Sequence, residues 1–135
     1  MAFEGCPGSK MVYFQEKEAQ DDAPAVQVKS QLRQWPVQLH LVSPLAPYFQ
    51  GADVLLSADC VAYALGNFHS DYLKGKSLAI ACPKLDAEQD IYVEKIKSLI
   101  EDAKINKAAQ KANRKVPIKY LVVGMQGEIL QEAWV

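Results

Sequence analysis

ADVLLSADCVAYALGNFHSDYLKGKSLAIACPKLD, residues 52–86, holds two short apolar runs that each end at a cysteine, with a segment of helical spacing between them. Val54 to Asp59 runs into Cys60, and Ser77 to Ala81 runs into Cys82-Pro83. Apolar runs of this length, bounded by turn residues, suit strands buried on both faces, which is the pattern of a parallel sheet. Between them, Ala64, Leu65, Phe68, Tyr72 and Leu73 fall at helical spacing, which predicts a helix over 60–73 that Gly75 closes. Functional groups in such sheets gather at the carboxyl ends of the strands, so Cys60 and Cys82 fall on the edge where chemistry is expected.

Towards the C-terminus, Asp86 with Gln89 three residues on reads as a capping box. Tyr92, Ile96, Leu99, Ile100 and Ala103 form one apolar stripe, predicting a helix over 87–103 that runs on towards Lys111. Val116 to Met125 reads as a further buried strand, and Ile129 to Val135 as an antiparallel edge strand after the turn at 126–128. Towards the N-terminus, Val37 to Val42 alternates apolar and polar residues, a strand signal, with Pro36 holding Trp35 out of helix. Met11 to Gln15 reads as a short strand. The punctuated residues 1–10 and the acidic run 16–25 make residues 1–25 an irregular or mobile segment. The expectation is one α/β domain over residues 1–135: a sandwich with a mostly parallel sheet, strand–helix alternation and an antiparallel C-terminal edge strand.

Composition narrows the function classes. In 135 residues, half apolar, the net charge is -1, which gives no nucleic-acid footprint. No apolar run approaches the ~20 residues of a membrane span, and no signal peptide is visible, so the expectation is a cytoplasmic protein without a membrane partner. Three cysteines in such a chain argue against a disulfide framework and leave packing residues, reactive thiols or ligands. Phosphate-binding loops, nucleophile elbows and zinc-protease motifs are absent from the sequence. With no positioned base for a nucleophile, a non-enzymatic role is favoured.

Cys6 lies in the loop Gly5-Cys6-Pro7-Gly8-Ser9, where proline and glycine keep the sulfur outside regular structure. Cys60 follows Asp59 at a strand end that opens a helix. A helix N-terminus favours the thiolate, Asp59 opposes it, and Asp59 is a natural cap for that helix. Cys82-Pro83 is a pairing also met at iron–sulfur ligands. His40 alternates with apolar neighbours in the expected strand, and His69 stands beside Phe68 in the expected helix. The aromatics Trp35, Tyr48, Phe49, Tyr63 and Phe68 read as core rather than as a stacking platform.

The stretches GCPGS (5–9), SQLRQWPVQLHLV (30–42), APYF (46–49), GAD (51–53), ADC (58–60) and CPKLD (82–86) together resemble one family. It is the domain found after a two-cluster ferredoxin module in 4Fe-4S-binding proteins of anaerobic bacteria and archaea. The resemblance implies an iron–sulfur-associated redox or electron-transfer role, an iron–sulfur cluster held through Cys6, Cys60 and Cys82, and a redox partner such as a ferredoxin. Two departures stand out: the closely spaced cysteines of the ferredoxin module are absent, and Val122 to Glu128 carries no cysteine where relatives end in a Val-Pro-Cys-Cys type motif. Three cysteines cannot make a four-thiolate site. The options are a three-cysteine site, a fourth ligand from His40, His69 or Asp59, a partner's ligand, or an accessory domain that has lost the cluster and docks a redox partner. A thiol-dependent enzyme is a third reading.

Overall fold

The computed structural model describes residues 27–105 and 118–134. Its elements are a 3-10 turn (Pro47–Phe49), β1 (Val54–Ala58), α1 (Val61–Ala64), a π-helical turn (Phe68–Leu73), β2 (Ser77–Ala81), α2 (Asp90–Glu101), β3 (Lys119–Val123) and β4 (Ile129–Trp134). The strand expected at Met11–Gln15, the segment 1–25 expected to be irregular or mobile, and Cys6 lie outside the described residues.

The two apolar runs form the parallel pair that their composition predicts. β1 and β2 lie side by side in register, Val54 against Ser77 through Ala58 against Ala81. Successive side chains of a strand point to opposite faces, and each face here has its own core. Val54, Ala79 and Ala81 pack with Leu99, Ile100 and Tyr92 of α2. Leu55, Leu78 and Ile80 pack on the other side with Leu65, Phe68 and Leu73. The result is a three-layer sandwich, with helical segments covering both faces as a parallel pair requires. Full burial of side chains such as Phe49, Leu99, Ile100 and Ile105 contributes roughly 1.5–3 kcal/mol each.

The outer edge of β2 is closed by three different devices. The Gln34 side chain pairs with Leu78, accepting its N–H at 3.0 Å and donating to its carbonyl. Main chain from the 37–39 segment takes Ile80, whose N–H donates to Val37 and whose carbonyl accepts from Leu39, both at 2.8 Å. The Asp86 carboxylate accepts the N–H of Cys82 at 2.9 Å. Every outward main-chain group of a strand needs such a partner once it is covered, and here side chains complete what a third strand would do.

Several expectations are corrected. The alternation at 37–42 yields only one parallel bridge, Gln38 to Ile80, because the chain turns at once: Leu41 and Val42 both donate to the Gln38 carbonyl. Leu39 and Val42 are then buried on the same side by the turn rather than by strand pleat. The Lys95 ammonium fixes this turn by donating to the carbonyls of Leu39, His40 and Val42 at 2.9, 2.6 and 2.9 Å. The helix expected over 60–73 is broken at Leu65–Asn67 into α1 and the π-turn, consistent with Gly66 and Asn67 being poor helix formers. Gly75 closes the segment with φ +78°, as expected.

The second helix starts at Asp90, not 87, with Gln89 at the cap position and no side-chain cap. It stops at Glu101 rather than running on. Lys104 takes φ +52°, and Ile105 donates back to the Leu99 carbonyl at 3.3 Å. The last two strands form an antiparallel hairpin, a sheet separate from the parallel pair. β4 is the antiparallel strand that the sequence predicts, but β3 is half-exposed rather than buried. Gly127, at φ +87° in the hairpin turn, lies so close to the Ala64 carbonyl that any Cβ there would overlap it.

Candidate functional site

The register of β1 and β2 brings Cys60 and Cys82 to the same edge, Cys60 two residues beyond Ala58 and Cys82 one beyond Ala81, the last paired residues. The Asp59 N–H still donates to the Ala81 carbonyl at 3.1 Å, so the strands remain joined up to the cysteines. Cys60 is exposed and Cys82 half-buried. The two then diverge, since Cys60 leads into α1 on one face while Cys82 stands near Tyr92 of α2 on the other.

At the Cys82 corner the side chains are tied together. Residues 82–86 form a turn in which Leu85 and Asp86 donate to the Cys82 carbonyl, at 3.1 and 2.8 Å. Asp86 accepts from both the Cys82 N–H and the Tyr92 hydroxyl. Asp86 therefore caps this turn and not α2, which corrects the capping-box expectation; Gln89 instead donates to the Pro83 and Asp86 carbonyls. The Tyr92 hydrogen bond, then the Cys82 N–H, hold the Asp86 carboxyl below the usual carboxylate range. Burial first, then the hydrogen bond and charge of Asp86, push Tyr92 up to about 12. His40 lies in the 38–42 turn, not in a strand. Its ring stacks on Tyr92 at 4.5 Å, and its Nε2 donates to the Ala87 carbonyl at 2.8 Å.

The Cys60 corner is open. Cys60 itself occupies the cap position of α1, and no side chain caps that helix, so Asp59 does not do so. A helix of four residues also has little aligned dipole to offer a thiolate. Next to it is a pocket of about 170 Å³ with Phe68, Leu78 and Ile80 among its apolar walls. Trp35 and Tyr63 flank it, and at 77% and 92% exposure they are the most exposed aromatic residues described. The expectation that both belong to the core is corrected; Phe49 and Phe68 are buried and Tyr48 is half-buried. His69 also lines the pocket. Its Nδ1 accepts the Gln31 N–H at 3.0 Å, which puts the proton of the neutral ring on Nε2.

The fit to a cluster is partial. The described residues bring two thiols to one edge, but among them no three His, Cys, Asp or Glu side chains converge as metal ligands. His40 and His69 stand on different corners, each with a main-chain partner. Tyr92 and Lys95 are contributors to the edge that the motifs did not single out, and Asp86 was singled out only as a helix cap and as part of CPKLD (82–86). The helical stripe marked Tyr92 as a core residue, and nothing local marked Lys95.

A parallel pair flanked by helices, with polar groups at its carboxyl edge, defines an α/β domain. Residues 46–109 match the Rossmann-like domain family, which takes in β1 through α2 and leaves out the hairpin. An uncharacterised protein of Archaeoglobus fulgidus is 32% identical over 77 residues, which is 56% of this chain and 54% of that relative. The chain thus spans about half the length of the relative it matches. No solved structure matches it. No described helix is long and apolar enough to cross a membrane.

Proposed function

We propose that this chain is an iron–sulfur-associated electron-transfer domain of the cytoplasm, working through the carboxyl edge of β1 and β2. In this reading Cys60 and Cys82 contribute two thiolates to a centre that Cys6 and a partner protein such as a ferredoxin complete. The observation that carries it is the register of the parallel pair, which brings two accessible thiols to neighbouring strand ends. A bound cluster would supply one-electron transfer. The chain's own part is to hold the Cys82 end rigid through Asp86 and Tyr92 and to leave the Cys60 end accessible.

The test is anaerobic purification and reconstitution, with iron, acid-labile sulfide and visible absorption measured. Iron and sulfide in stoichiometric amounts, with charge-transfer absorption, support the reading. A colourless protein without metal after reconstitution with its partner overturns it.

The divergence of the two corners onto opposite faces favours a second reading, an accessory domain that docks a redox partner and holds no cluster. Alkylation separates the two. Thiols that label identically with and without iron, in a protein that binds a ferredoxin, support docking alone.

A further inference from the structure

The pocket beside Cys60 has a chemistry of its own that neither electron transfer nor cluster ligation uses. Most surface aromatics keep one face on a neighbour, yet here the two most exposed ones border the same cavity of about 170 Å³. Such rings can stack on a ligand and attract positive charge to their faces. The cavity has an apolar floor, and Asp59 is its one carboxylate among the described lining residues. No described side chain or main-chain group pairs with that carboxylate, while the Asp59 N–H is used up on Ala81. A largely apolar pocket with few polar groups is the usual form of a small-molecule site.

We propose that this pocket binds a flat, positively charged nitrogen heteroaromatic ring, stacked against Trp35 and Tyr63 with its charge on Asp59. Both features select the same ligand. Aromatic faces reward a delocalised cation, and an unpaired carboxylate rewards any cation, whereas a neutral ring gains only the stacking and an anion is repelled. The cavity volume limits the ligand to one or two fused rings. His69, with its proton on Nε2, adds a donor suited to a ring substituent such as a carbonyl.

The experiment uses two probes of one shape, the 1-methylquinolinium cation and neutral 1-methylnaphthalene, titrated into the whole chain in the presence of chelator. A Trp134→Phe background leaves Trp35 as the one tryptophan of the chain, and calorimetry accompanies its fluorescence. The expected result is saturable quenching by the cation, with affinity about tenfold or more above that of the neutral isostere. Asp59→Asn abolishes the preference, and Trp35→Leu weakens the cation about tenfold. Should Trp35→Leu fail to fold, Asp59→Asn decides alone. Linear, unsaturable quenching overturns the proposal, and so does a cation preference that survives Asp59→Asn. Because metal is removed throughout, the outcome is independent of whether the chain holds a cluster.

Discussion

The two strand ends of the parallel pair start alike and finish differently. Each delivers a cysteine to the same edge, but β2 ends in a turn closed by Asp86, Tyr92 and His40, whereas β1 ends in a four-residue helix with no side-chain cap. The segment that succeeds each strand makes the difference. Behind Cys82 stands a twelve-residue helix whose first turns present Tyr92 to the edge and whose Lys95 fastens the 38–42 turn. Behind Cys60 the helical segment is broken at Leu65–Asn67, and Trp35 and Tyr63 are left facing solvent. One corner is built to be rigid and the other to be reached.

The rigid corner is most vulnerable at Lys95. Replacing it with Met strips one donor from three carbonyls of the turn that carries His40, and the expected loss is about 2 kcal/mol, read from urea unfolding. An unchanged midpoint would mean that the Cys82 corner does not depend on this turn. Gly127→Ala acts on the other corner. It forces a Cβ onto the Ala64 carbonyl at a left-handed position, and about 1–2 kcal/mol should be lost as the hairpin shifts off the end of α1.

At the Cys82 corner, Asp86 and Tyr92 titrate away from their ordinary values, which gives this corner a pH dependence. Asp86 titrates lower in the folded chain than in the unfolded one, so the unfolded state takes up the proton first as acid is added. Its contribution is whole above pH ~4 and is lost as pH falls through the folded value. Tyr92 is raised, so its contribution is whole below pH ~10 and is lost as pH rises towards about 12. Chemical unfolding across both ranges should show the acid limb weakened in Asp86→Asn and the alkaline limb removed in Tyr92→Phe. The smallest effect is expected at the open corner: Tyr63→Ser, at 92% exposure, should change stability by less than about 0.5 kcal/mol while emptying one wall of the pocket.

How much of this could be read from the chain alone depends on how local each signal is. The apolar runs at 54–59 and 77–81 announced a parallel pair, and the stripe from Tyr92 to Ala103 announced its covering helix, because periodicity is a local property. The hairpin's second strand was equally legible. At 37–42, however, period-2 alternation stood for a turn whose two inward residues, Leu39 and Val42, are three apart, and the lysine that fixes that turn lies more than fifty residues away. Asp86 had the spacing of a helix cap, but Tyr92 and the Cys82 N–H compete for the same carboxylate and win it. Trp35 and Tyr63 were placed in the core because large aromatics usually belong there; their exposure is legible only once β1 and the π-turn define a cavity between them.

Joint action of Cys60 and Cys82 at one edge can be checked by reconstituting wild type, Cys60→Ser and Cys82→Ser side by side under anaerobic conditions, each with a ferredoxin as the proposed redox partner. Iron bound per chain is the quantity to measure. Either serine substitution is expected to remove the bound iron while far-ultraviolet circular dichroism remains that of wild type. Serine variants that retain wild-type iron would contradict it.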